Sequence, residues 1–129
     1  MKLRIRGNSI RLRLKRSEVE QIATGAALAE MTHFPGATLT CRLEQAADGH
    51  FAAQFSDDTL TIRLPAEDVA RWAASDQVSL FAEQDVGHAN TLSLLVEKDF
   101  QCLSPGDHRS HEDDNDTYPH PEAGTGRGC

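Results

Sequence analysis

Five arginines (Arg4, Arg6, Arg11, Arg13 and Arg16) and two lysines (Lys2 and Lys15) crowd the first sixteen positions, with no carboxylate among them. A guanidinium presents a planar fork of donors that fits a carboxylate or phosphate with two parallel bonds, so the preference for Arg over Lys suits anion recognition better than mere solubility. Alternation decides which of these groups act together. Leu3 and Ile5 share one phase and Ile10, Leu12 and Leu14 another, with the change at Gly7-Asn8. A hairpin turning there sets Arg4 and Arg6 on one strand against Arg11 and Arg13 on the next, leaving the opposite face apolar. Like charges across strands repel by about 0.2–1 kcal/mol per pair, so such a face calls for an anion. That anion is either a ligand or a set of neighbouring acids, such as Glu44 or Glu83. Arg4, Arg6, Arg11 and Arg13 are therefore the candidate anion-binding residues.

Two further groups carry chemical possibilities. In Glu97-Lys98-Asp99, Lys98 continues the apolar phase of Leu92, Leu94 and Val96, while Glu97 and Asp99 fall on the other phase. Carboxylates at this spacing pair with arginines of the hairpin, or chelate a divalent cation beside a bound phosphate; pairing needs no ligand and is preferred. The C-terminal segment offers Cys102, His108, His111 and Cys129 as candidate ligands for a divalent metal, with the acids Glu112, Asp113, Asp114 and Asp116 between them. Their spacing matches neither a zinc knuckle nor an EF-hand loop. No nucleophile elbow, Walker loop or dinucleotide fingerprint is present, and Gly124, Gly126 and Gly128 neither follow a strand nor open a helix. Cys41 lies on an apolar strand phase and reads as a small core residue.

The elements that must position these groups are legible from their periods. Ser17-Glu18-Val19-Glu20 predicts a capping box opening a helix with Val19, Ile22, Ala23 and Ala26 behind it, ended by Gly25 in the left-handed region. A short strand is expected over 27–33. Ala37, Leu39, Cys41 and Leu43 then share a face, and Asp48-Gly49 predicts a hairpin into Phe51, Ala53 and Phe55. Ser56-Asp57-Asp58 turns the chain into Leu60, Ile62 and Leu64, so the segment reads as an antiparallel meander. Pro65 starts a second helix with Ala66, Val69, Ala70 and Ala73 as its buried stripe and Trp72 at the flank. Strands carrying Val78 and Leu80, then Leu92, Leu94 and Val96, complete the set. No internal repeat of solenoid period is visible.

The expected fold is α+β, an antiparallel sheet of about eight strands, open or curled toward a barrel, with two short helices. Residues 1–103 form the compact domain. Residues 104–129 form an acidic tail containing Pro, Gly and His, almost without aliphatic side chains. Residues 1–16 carry a formal +7 and residues 17–129 a formal −14, in keeping with the net −7. That acidic whole disfavours nucleic acid as a partner. No apolar run reaches the ~18 residues of a membrane span. Three cysteines at wide spacing are no disulfide framework, and a reduced, cytoplasmic setting is expected.

The opening KLRIRGNSIRLRL, the VEKDFQCL block at 96–103, and the acidic 112–116 segment followed by Tyr118-Pro119-His120-Pro121 resemble a family of short bacterial proteins of unknown function. That pattern favours Phe-Pro-Asn-Pro where this chain has Tyr118-Pro119-His120-Pro121. The resemblance implies that the tail belongs to the family architecture, and it carries no activity or site residue. A tail that belongs to the architecture is expected to dock, and the cationic hairpin is its natural host. Together these features predict a small binding or accessory protein rather than an enzyme, whose partner is an unknown protein or a small anion. The alternatives are a metal-assisted phosphohydrolase of the triphosphate-tunnel type, with arginines inside a barrel, and a metal-binding protein using Cys102 and the tail. No cofactor beyond such a metal is implied, and the oligomeric state is left open.

Overall fold

The computed structural model describes residues 1–100 and Tyr118. Eight strands and two helices follow in the order β1 (Lys2–Arg6), β2 (Ser9–Leu14), α1 (Arg16–Ala23), β3 (Leu28–Phe34), β4 (Ala37–Ala46), β5 (Ala52–Ser56), β6 (Thr59–Pro65), α2 (Ala66–Ala73), β7 (Ser79–Gly87) and β8 (Asn90–Lys98). The α+β class, the strand number and the two helices agree with expectation; the sheet does not. There are two four-stranded sheets, ordered β1-β2-β8-β7 and β3-β4-β6-β5, and neither forms a closed barrel. Each is mixed: hairpins form its outer pairs, and a parallel pair, β2 with β8 or β4 with β6, joins them. The meander expected across Asp48-Gly49 is therefore corrected. Gly49 does turn with φ 76°, yet β4, which leads into the turn, pairs with β6 and not with β5.

The architecture is two ββαββ halves that exchange hairpins. The elements of residues 2–24 recur over residues 52–74 at a constant offset in sequence, and each sheet contains one hairpin from each half. The buried cluster divides equally between the halves, in the same order along each. Ile10, Leu12, Leu14, Val19, Ile22, Leu28, Cys41 and Leu43 correspond in order to Leu60, Ile62, Leu64, Val69, Trp72, Leu80, Leu94 and Val96. This repeat is one of position and polarity, with few identities, and for that reason escapes a scan of the sequence for similarity.

Local chemistry explains the elements. Gly7 alone has positive φ in the first hairpin, as in a type II′ turn, whereas Asp57 and Asp58 both do in its counterpart, as in type I′. Helix α1 starts earlier than the Ser17 box predicts: Lys15 is the N-cap, and Glu18 at N3 accepts its backbone N–H at 2.9 Å. Gly25, φ 95°, follows the C-cap Thr24 and ends the helix as anticipated. In α2, Val69 and Trp72 are the buried pair, while Ala66 and Ala70 are exposed. Trp72 is thus core, not flank. Its ring fills the place that Ile22 occupies in the other half, and its indole N–H donates to the Val78 carbonyl.

Candidate functional site: the cationic hairpin face

The first hairpin pairs Lys2 with Arg13, Arg4 with Arg11, and Arg6 with Ser9. The expected grid is present, one step out from a strict arginine-on-arginine match. Because β2 lies beside β8 with Arg13 opposite Glu97, a carboxylate reaches this face from the other half of the chain. Arg11 Nε donates to Glu97 Oε1 at 2.6 Å and Arg13 Nε donates to the same oxygen at 2.7 Å. Lys2 Nζ lies 3.3 Å from Asp99 Oδ2, whose side chain is only 2% exposed. Glu97 and Asp99 thus neutralise part of the hairpin, as their phase allows. Neither Glu44 nor Glu83 does so: Glu44 belongs to the second sheet, where it pairs with Arg42 and Arg63, and Glu83 makes no ion pair among the described residues.

Correspondence between the halves separates scaffold from candidate site. Arg13–Glu97 is matched by Arg63–Glu44 at the equivalent register position, so this pair belongs to the fold. Lys98 is scaffold as well. Its Nζ donates to the Ser75 carbonyl at 2.7 Å beyond the end of α2, as Gln45 Nε2 donates to the Ile22 carbonyl in the last turn of α1. A cation suits that end of a helix. Burial lowers the Lys98 pKa, against a smaller raising influence of Asp76. Arg4, Arg6 and Arg11 correspond instead to Gln54, Ser56 and Thr61. The fold is satisfied by neutral side chains there.

Arg11 is engaged by Glu97. Arg4 and Arg6 are exposed and have no carboxylate partner among the described residues. Five cations and two carboxylates leave this face a formal +3. Two shallow clefts lie in it side by side. One, of about 190 Å³, is lined by Arg4, Arg6, Ser9 and Arg11; the other, of about 150 Å³, by Lys2, Arg4, Arg11 and Arg13. Arg4 and Arg11 belong to both, so two anionic groups one strand-repeat apart, roughly 6–7 Å, would share them.

Of the other predicted ligands, Cys102, His108, His111 and Cys129 lie outside the described residues, as does the acidic 112–116 segment. Tyr118 is described. It forms an isolated parallel bridge with Phe100, its N–H donates to the Asp99 carbonyl at 2.9 Å, and the Arg16 guanidinium stands 5.3 Å from its ring centroid. Lys98 Nζ lies 5.0 Å from the same ring and 5.9 Å from that of Trp72. No helix among the described residues is long and apolar enough to cross a membrane. Among the described residues the arrangement is the reverse of a tunnel enzyme's, with Leu12 and Leu14 inward and the arginines outward.

Comparison with curated proteins and with solved structures finds no match. A family model does match, over residues 1–122, a range that takes in both the cationic hairpin and the Tyr118–Pro121 segment; the chain belongs to this family of unknown function, DUF7009.

Proposed function

We propose that the protein is a binding or accessory module whose cationic hairpin face recognises an anion through Arg4 and Arg6, with Arg11 as their shared neighbour. The observation that carries this reading is the divergence of the two halves. One hairpin holds guanidiniums where its counterpart folds with Gln54, Ser56 and Thr61, and two of those guanidiniums lack a described carboxylate. Charge of one sign at such density costs stability without a guest. Multidentate oxyanions, phosphate or carboxylate, are the matching chemistry.

The second half also supplies the test, because its residues are substitutions that this fold accepts. Arg4→Gln with Arg6→Ser is expected to weaken binding of tripolyphosphate or oligoglutamate by about tenfold or more, the worth of one to two charge-assisted bonds. Stability should stay within about 0.5 kcal/mol, as for surface changes. Equal titration heats for wild type and variant would exclude the face.

The acidic segment of the chain is a candidate internal guest. Tyr118 stands next to Asp99, which pairs with Lys2 at one end of the face. Glu112 to Asp116 lie within six residues of Tyr118, a reach of about 20 Å. Replacing Glu112, Asp113, Asp114 and Asp116 by their amides in the full chain is expected to strengthen binding of tripolyphosphate and to lower the melting temperature. No change in either would remove the internal guest and leave the external one.

A further inference from the structure

From the edge of β1 we infer the form of the ligand: an extended peptide segment with a carboxylate at every second position, docked as an added strand. This rests on the anion reading above and goes beyond it. Strand β1 is an outer strand of its sheet, and so is β5 of the other. The two edges are equivalent in the doubled architecture and are treated differently. At β5, Gln84 of β7 closes the edge with its side-chain amide, accepting from Ala53 N–H at 2.8 Å and donating to the Ala53 carbonyl at 3.1 Å. Both backbone groups of Ala53 therefore point outward from the sheet.

Leu3 is the counterpart of Ala53, and Thr32 of β3 the counterpart of Gln84. Threonine is too short to repeat the clasp. The Met1 ammonium reaches Glu30 Oε1 at 2.8 Å and ties the start of the seam. Past that point Leu3 and Ile5 make no bond across it among the described residues, and Ile5 is 60% exposed. An exposed edge is a template for another strand, and charged side chains on it select what is admitted. Lys2, Arg4 and Arg6 on one face repel a second copy of β1 and attract carboxylates. Side chains of an added strand repeat at the same spacing as those of β1, so acids at alternate positions meet the cations while apolar residues between them lie toward Ile5.

The test uses the full-length protein and a blocked peptide alternating glutamate with valine, in three forms: unmodified, N-methylated at the glutamate amides, and N-methylated at the valine amides. Charge is the same in all three. Only one alternating set of amides can face β1, so one methylated form should lose about tenfold or more in affinity and the other should bind like the parent. Thr32→Gln, which rebuilds the clasp seen at β5, should weaken the peptide and leave tripolyphosphate unaffected. If all three peptides bind alike, strand docking is overturned while anion recognition stands. If neither peptide nor tripolyphosphate binds, the anion reading has failed and takes this inference with it.

Discussion

At the scale of single residues, burial and charge neighbours set what each group can do. Cys41 is 6% exposed, and burial, with help from the nearby Glu30 charge, pushes its thiol up to about 11. Thiolate is the reactive form, so in the native protein Cys41 should resist iodoacetamide at pH 8 and react only after denaturation; rapid native labelling traced to Cys41 by mass spectrometry would contradict its burial. The Met1 ammonium feels opposing influences. Burial lowers its pKa, but hydrogen bonds and charge attraction from Glu18 and Glu30 outweigh that and raise it above 8.0. A raised folded value means the folded state holds the proton more tightly. Its stabilisation is complete below the unfolded pKa near 8 and is lost as pH climbs through the higher folded value. Melting temperatures should fall over that window, and an N-acetylated chain should show no such component. Glu97 serves two guanidiniums at once, and Glu97→Gln is expected to cost about 1–3 kcal/mol in denaturant melts while tightening anion binding at the freed Arg11.

At the scale of elements, turns carry the strain. Asp57 and Asp58 have φ 52° and 57°, and His88 and Ala89 have φ 53° and 60°, a region that costs a residue with a β-carbon about 1–2 kcal/mol. Alanine has no polar side chain to compensate. Ala89→Gly should therefore stabilise by about 0.5–1 kcal/mol in a thermal or chemical melt, net of the extra entropy of the unfolded chain. Gly7→Ala, at φ 52°, should destabilise by a similar amount although open space surrounds the added carbon. The opposite signs of these two changes test backbone strain rather than packing.

At the scale of the whole molecule, the exchange of hairpins makes each sheet a joint product of both halves. The bond between Arg13 and Glu97 joins residues 84 apart in sequence. Neither half can assemble the eight-plus-eight core alone, because each presents strand edges and apolar faces that only the other covers. Fragments 1–50 and 51–129 are expected to be unfolded separately and to regain strand signal in circular dichroism when mixed. A well-dispersed NMR spectrum from either fragment by itself would show that the interlocking is dispensable. The doubled architecture also bears on the proposed anion site: two equivalent hairpins satisfy the same fold, one carrying arginines where the other has Gln54, Ser56 and Thr61.

How much of this was legible beforehand follows from the range of the forces involved. Strand phase in the first hairpin, the turn at Gly7, the end of α1 at Gly25, the buried Cys41 and the pairing of Glu97 with the arginines were all readable, because each depends on period or on the chemistry of close neighbours. Two local readings fail for identifiable reasons: Glu18 accepts the Lys15 N–H, which moves the helix start ahead of Ser17, and a stripe of Ala66, Val69, Ala70 and Ala73 lacks the volume that Trp72 supplies to the core. The candidate face was readable as charge; which of its arginines lack a carboxylate partner among the described residues was not. By itself, the amino-acid order determined the elements, their amphipathic faces and the cationic hairpin. Tertiary structure alone decided that hairpins are traded between halves, that β4 joins β6 in parallel, and that Arg4 and Arg6 stand without a described partner. Those outcomes turn on contacts between residues tens of positions apart, where a local pattern says which faces are sticky but not which faces meet.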